Sequence, residues 1–341
     1  MVNRRSIIMG TVCFALMMVV AVFVGRACYR FVYQPITVHP GESVIIRIDK
    51  TTTATRLAQL MHAQGWIGSS RLWVGWMRLQ GMSSKLKAGV YQLQSAESAQ
   101  HLLQRICAGD VLHQLFLIKP GTTQAQIIAD FKNSPFLAYT DDDWQVLDDA
   151  KLDASLPTQL NQAYEGVLLA DSYSYDAGSR ANELIRMAHA HLQLALKQAW
   201  DSRHLALPYQ SPYELLIAAS IIEKESALPA ERRLISGVII NRLHKHMPLQ
   251  MDPTVIYALG PSYKGSLSHE QLSVDSPYNT YKYRGLPPTP IAAVSRDALN
   301  AARDPDTQGY LYFVAKGDGS HAFSVNYLAH RQAIQRYRSK H

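Results

Sequence analysis

Twenty consecutive residues without a charge, SIIMGTVCFALMMVVAVFVG from Ser6 to Gly25, constrain this chain more than any other feature. As a helix they span about 30 Å, the thickness of a bilayer's hydrocarbon core. A cleavable signal peptide has a shorter apolar core. The small-residue site here, Gly25-Arg26-Ala27, carries an arginine in its middle. A retained anchor is therefore expected. Arg4 and Arg5 precede the run, and Arg26 and Arg30 follow it, so charge alone sets no orientation. The short N-terminal stub favours N-terminus inside and body outside.

The net charge of +7 resembles a nucleic-acid signal until it is located. Residues 1–30 hold four arginines and no acid. Residues 331–341 hold Arg331, Arg336, Arg338 and Lys340, again without an acid. The body between them is close to neutral, a poor phosphate-binding surface, and no nucleic-acid partner is expected. At 341 residues the chain is long enough for two domains. Cys13 and Cys28 lie in or beside the apolar run, which leaves Cys107 for the body and no disulfide framework. His189 and His191, like His244 and His246, are two apart and project from different helix faces. No HExxH occurs, so neither a metal nor any other cofactor is expected.

Along the body the periodicity predicts an α+β chain. A short strand at Val44–Ile48 leads to a helix capped by Thr53 or Thr55 and ended by Gly65. Ser-started helices are expected over 69–81 and 98–110, with a strand over 86–93 between them. A strand, a Pro-Gly turn and a helix follow over 112–131. Such a small unit suits either a shallow carbohydrate-binding groove or a spacer. The acidic stretch TDDDWQVLDDAKLD, residues 140–153, reads as a solvated connector. After it come EGVLLADSYSY and a long helix over 181–200.

LLIAASIIEKES, Leu215–Ser226, then poses a chemical question. Ser211-Pro212 opens a helix that is apolar around its circumference, a core helix, yet Glu223 and Glu225 stand at its end. At 100° per residue Glu225 falls between Ala218 and Ile222, and Glu223 on the side of Leu216 and Ala219, about 160° away. A carboxyl among apolar neighbours resists ionisation, the condition for a general acid. The alternative is an exposed final turn in which both pair with Lys224, Arg232 or Arg233. Periodicity does not choose between the two glutamates.

A second helix is expected to run through Asn241-Arg242, then a polar turn LQMDPTVIY, the tyrosine- and proline-rich DSPYNTYKYRGLPPTPI, and a hairpin within 310–330 around Gly-Asp-Gly-Ser. Tyrosine faces and amides before a helix-borne glutamate suit a sugar cleft. Tyrosines that only support a β-rich fold are the alternative.

ASIIEKES, INRL, LQMDPTVIYALG, YNTY, GLPPTPI and YLYFVAKGDGSHAFS, in this order, resemble the endolytic murein transglycosylases, the MltG or YceG-like family. The likeness covers nearly the whole chain. It departs at Ala170 and Ser172, where the family carries proline and threonine, and at Ala293–Ser295, where it carries an NPG-like turn.

The resemblance implies an anchor over 1–30, a LysM-like module over 37–135, a connector over 136–160 and a catalytic α+β domain over 161–341. It implies a lyase of the cytoplasmic (inner) membrane, with its body in the periplasm or otherwise outside that membrane. That enzyme cleaves the MurNAc–GlcNAc bond of nascent peptidoglycan, forms 1,6-anhydro ends and so terminates glycan elongation in cell-wall biogenesis. Penicillin-binding proteins or division and elongation synthases are the protein partners it suggests. Glu225 is implied as the acid–base. Glu223, Asn241, Gln250, Asp252, Tyr278 and Asn279 are candidate sugar contacts. An inactive peptidoglycan-binding scaffold and a hydrolytic muramidase are the competing readings.

Overall fold

A computed structural model describes residues 4–36, 44–94, 96–149, 164–204, 206–226 and 228–338. The uncharged run is helical: α1 covers Arg4–Tyr33, and its Cys13–Tyr33 part is long and apolar enough to cross a membrane. From Cys13 to Arg30 its side chains are exposed. The chain divides into two compact units, the first of which includes α1. One runs to Gln114 and takes in Asp176–Gly178; the other comprises Leu115–Tyr175 and the chain from Ser179 onward.

The first unit contains β1 (Ile45–Ile48), α2 (Ala54–Ala63), α3 (Ser70–Leu79), β2 (Gly89–Gln92) and α4 (Ala99–Ala108). Its helices start where hydroxyl side chains can take up free amides: Thr53, Ser69 and Ser98 accept from the backbone N–H groups of Arg56, Leu72 and His101. α4 ends at Gly109, whose φ of 80° is the left-handed cap conformation. β1 and β2 pair antiparallel, Ile46 opposite Tyr91. Leu57, Met61, Trp73, Leu103 and Ile106 complete the core below them. Phe31 of α1 packs edge-on against Trp73, with ring centroids 5.4 Å apart.

The second unit begins within β3 (His113–Leu117) and continues through α5 (Gln124–Asn133), α6 (Val146–Asp149), β4 (Ser172–Asp176) and α7 (Ala181–Asp201). β3 and β4 form a two-stranded sheet. Phe116 and Phe131 stack at 4.5 Å and share a core with Tyr173 and Ile185. That apolar burial attaches α5 to the second unit, whereas the sequence grouped it with the small module. The first part of the acidic stretch is also no solvated connector. Asp141–Gln145 forms a 3₁₀ turn leading into α6. Trp144 is 3% exposed, and Asp143 is buried against the Arg180 guanidinium at 2.7 Å. An ion pair and an indole anchor it. Residues 150–160 of the expected connector lie outside the described residues.

The larger core gathers around α8 (Pro212–Glu225). α9 (Pro229–His244), the C-terminal half of α7 and, later in the chain, α11 (Arg296–Arg303) pack upon it. Ser211 caps α8 and Pro212 opens it. Every residue from Leu215 to Glu223 is buried, as the absence of a polar stripe predicts. The expected polar turn LQMDPTVIY is instead mostly helix, α10 (Asp252–Leu259). Pro253 stands in its first turn, where a missing N–H removes no helical bond. β5 (Tyr312–Ala315) and β6 (His321–Ser324) form the expected hairpin, and α12 (Tyr327–Arg338) carries Arg331, Arg336 and Arg338.

Candidate active site

The last turn of α8 treats its two carboxyl groups differently. Glu223 is 8% exposed. Its Oε1 accepts from Arg232 Nη2 at 2.7 Å, and its Oε2 accepts from the Ser295 N–H at 2.8 Å and from the Ser295 hydroxyl. Ser295 is at the same time the N-cap of α11, accepting from Ala298 N–H. Glu223 therefore ties α8 to α9 and to the start of α11. Both of its oxygens are thus engaged within the protein.

Glu225 has no such partners. Its side chain retains partial access to solvent, but Oε2 is shut off from water and makes no hydrogen bond among the described residues. Burial, and after it the negative charge of Asp252, push its acid up to about 8. The C-terminal end of α8, where helical carbonyls point outward, acts in the same direction. At neutral pH this carboxyl is largely protonated and has a proton to give.

Asp252 lies in the first turn of α10, and its Oδ1 accepts a hydrogen bond from the Tyr281 hydroxyl. Thr280 holds the approach to α10: it takes the Gln250 N–H on its carbonyl at 3.0 Å and the Met251 N–H on its hydroxyl at 3.0 Å. Gln250 has a φ of 50°, an uncommon conformation for a side-chain-bearing residue. Tyr281 lies within electrostatic reach of Glu225, Asp252 and Arg242 together. The sequence reading passed over Tyr281, although it closes the YNTY motif.

The other expected contacts divide. Gln250 and Asp252 belong to this cluster. Asn279 is enclosed, 0% exposed, and its amide donates to the carbonyls of Leu272 and Val274 while accepting from Tyr281 N–H. Asn241 donates to the Tyr310 carbonyl at 2.9 Å. Both asparagines thus engage backbone groups of neighbouring loops, Asn279 through its oxygen as well as its nitrogen. Tyr278 stands in a row: its hydroxyl bonds Thr289 at 2.8 Å, and its ring lies 4.8 Å from that of Tyr257. Tyr257 in turn donates to Glu165 Oε2 at 3.1 Å.

Glu165 is a second buried carboxyl, raised by desolvation and stabilised by the Gln124 N–H at 2.9 Å. Gly166 follows it with a φ of 69°, and a Cβ there would stand 2.4 Å from Pro290 Cβ. The Glu-Gly pair is thus wedged under the proline-rich loop. That loop continues to Ile291, whose N–H donates to Ser220 on α8, and to Ser295 on Glu223. Leu169 bridges to Val294 next to it, so the segments carrying both departures from the family pattern lie side by side. His189 donates its Nδ1–H to the Val167 carbonyl, 2.8 Å away, which is a core role. Among the described residues no group of His, Cys, Asp and Glu forms a metal site.

The chain as a whole is similar to known proteins. The model of the YceG-like family matches residues 46–336. An endolytic murein transglycosylase of Bacillus subtilis is 29% identical over 317 residues, covering 89% of this chain and 87% of the relative. One of Streptococcus pneumoniae is 29% identical over 325 residues, but this chain spans only 58% of its length. A crystal structure of a yceG-like protein from Listeria monocytogenes superposes with a TM-score of 0.53 at 27% identity, covering 85% of this chain and 99% of that one.

Proposed function

This chain belongs to the YceG-like family, and we propose that it is an endolytic murein transglycosylase, a lyase that uses Glu225 as its one acid–base. The observation that carries this reading is the state of Glu225. It is a carboxyl at the end of a core helix, without a cation, with one oxygen sealed, holding its proton to about 8.

The chemistry follows from that state. Protonated Glu225 donates to the glycosidic oxygen between N-acetylmuramic acid and N-acetylglucosamine as the C1–O bond breaks. The resulting carboxylate takes the proton of the muramic C6 hydroxyl as that oxygen attacks C1. The product is a 1,6-anhydro end, and Glu225 recovers its proton. Because the nucleophile is already part of the substrate, no second enzymic carboxylate and no placed water are needed. Asp252, held by Tyr281, keeps negative charge near the acid and so favours the protonated form at rest.

In this reading α1 anchors the protein in the cytoplasmic membrane with the body outside it. The first unit acts as a LysM-like, glycan-binding module, and cleavage of nascent strands terminates their elongation. The likeness to named murein transglycosylases supports the substrate class. Mass spectrometry of purified peptidoglycan incubated with the protein is the test. Released fragments ending in 1,6-anhydro-muramic acid are expected. Reducing muramic ends would make the protein a hydrolase, and intact strands would make it a binding scaffold.

A further inference from the structure

α9 carries three arginines, and two of them have carboxylate partners: Arg232 pairs with Glu223 and Arg233 with Asp304. The third, Arg242, is the most buried of them, 6% exposed, and no carboxylate among the described residues pairs with it. Nε donates to the Leu311 carbonyl at 2.7 Å. Nη1 faces the carbonyls of Pro248 and Leu249, at 3.1 and 2.7 Å, and Gln250 Oε1 at 3.3 Å. The Tyr312 ring lies 5.3 Å from its central carbon. Nη2 donates to no described acceptor, yet it is not sealed from water.

A buried cation without a counter-charge is costly unless something supplies one. Carbonyl oxygens take up the Nε–H and the Nη1 hydrogens, and Nη2, which lies between them, is the nitrogen left with donors to offer. Burial presses against its charged form, the direction expected where no carboxylate compensates. The position is also informative. Nη1 is bonded to Gln250, two residues before Asp252, and Tyr281 lies within electrostatic reach of Arg242 as well as of Glu225. Arg242 thus belongs to the group of residues around the proposed acid.

We propose that Arg242 Nη2 is a binding point for a carboxylate carried by the glycan substrate. Two sources share that chemistry: the lactyl carboxylate of a peptide-free muramyl sugar, and a carboxylate of the peptide that a muramyl sugar bears. The remaining Nη2 donors carry part of a delocalised positive charge, and such charge-assisted donors suit a carboxylate oxygen better than the hydroxyl of a neutral sugar. This assignment rests on the reading of the protein as acting on murein. It gives Arg242 the task of distinguishing muramyl from glucosaminyl units, and so of setting which side of the scissile bond meets Glu225.

The test is equilibrium binding, without turnover, of three probes to the full-length protein in detergent: N-acetylglucosamine, N-acetylmuramic acid and N-acetylmuramoyl dipeptide. A preference of at least tenfold for one anionic probe over N-acetylglucosamine is expected at low salt, shrinking as salt rises. N-acetylmuramic acid favoured identifies the lactyl source, and the dipeptide alone favoured identifies the peptide source. In Arg242→Gln the preference should vanish. Equal binding of all three probes overturns the proposal, as does a preference that survives in a natively melting Arg242→Gln. Because Nε and Nη1 also hold the fold, the variant can fail to fold. The guanidinium resonances of the wild-type protein then decide: none moving on addition of either anionic probe overturns the proposal. Failure of the 1,6-anhydro assay with selective binding intact would instead count against the lyase reading alone.

Discussion

Glu223 and Glu225 leave one turn of α8 on nearly opposite sides, and only Glu223 meets a cation. Arg232 and the Ser295 N-cap hold the Glu223 carboxylate, while Glu225 Oε2 is enclosed without a partner among the described residues. Two identical side chains, two residues apart, are thereby separated into a fastener and an acid.

Paired substitutions should show this separation. Glu225→Gln is expected to fold normally and to lose release of 1,6-anhydro products by a factor on the order of 10²–10⁴, the usual contribution of general acid–base catalysis. Glu223→Gln removes the countercharge of a mostly buried Arg232 and weakens the Ser295 contacts. It should lower stability by roughly 3 kcal/mol while leaving activity per folded molecule within a few-fold. Melting curves and product assays on both variants check it. Full activity in Glu225→Gln would sink the assignment.

The pH profile should carry the signature of the raised acid. Turnover needs protonated Glu225 at the start, so the rate should fall above about pH 8, tenfold per unit at the limit. Asp252→Asn removes the charge that opposes ionisation of Glu225, so this basic limb should move to lower pH. A limb that stays in place would show that burial alone sets the acid.

Stability should depend on the same proton. Unfolded glutamate releases its proton near pH 4.3 or so, whereas folded Glu225 keeps it to about 8. Between these values the native state binds more protons than the unfolded one, so stability is greatest below the lower value and declines as pH rises toward the upper. The slope is at most about 1.4 kcal/mol per pH unit. Glu225→Gln should flatten that decline, so its melting temperature relative to wild type should rise between pH 5 and pH 8. Parallel curves for the two proteins would contradict this.

Gly166→Ala should destabilise the body without touching any group proposed for chemistry. The added Cβ would stand 2.4 Å from Pro290 Cβ and 2.9 Å from the Ala292 carbonyl, at a φ of 69°. A loss of about 2 kcal/mol or more is expected, seen as a lower melting temperature. An unchanged melt would mean that the proline-rich loop yields easily.

Local sequence determined a large share of this protein. An uncharged run can satisfy its backbone only as a helix in apolar surroundings, and α1 follows. Ser69, Ser98 and Ser211 mark helix starts because a hydroxyl one position before a helix accepts a free amide, a wholly local interaction. The all-round apolar character of α8 likewise stated its burial. What periodicity left open was which glutamate is free, because that depends on Arg232, nine residues away, and Ser295, seventy-two residues away. The same limit applies to Trp144 and Asp143, whose acidic neighbours read as solvated until Arg180 and the Phe131 core are brought beside them. It applies to Asn241 and Asn279, whose amides look free in the sequence and are spent on distant or looped-back carbonyls. Burial, counter-charges and hydrogen-bond partners are supplied by chain brought from far away, so only the tertiary structure decided which polar groups remain available for chemistry.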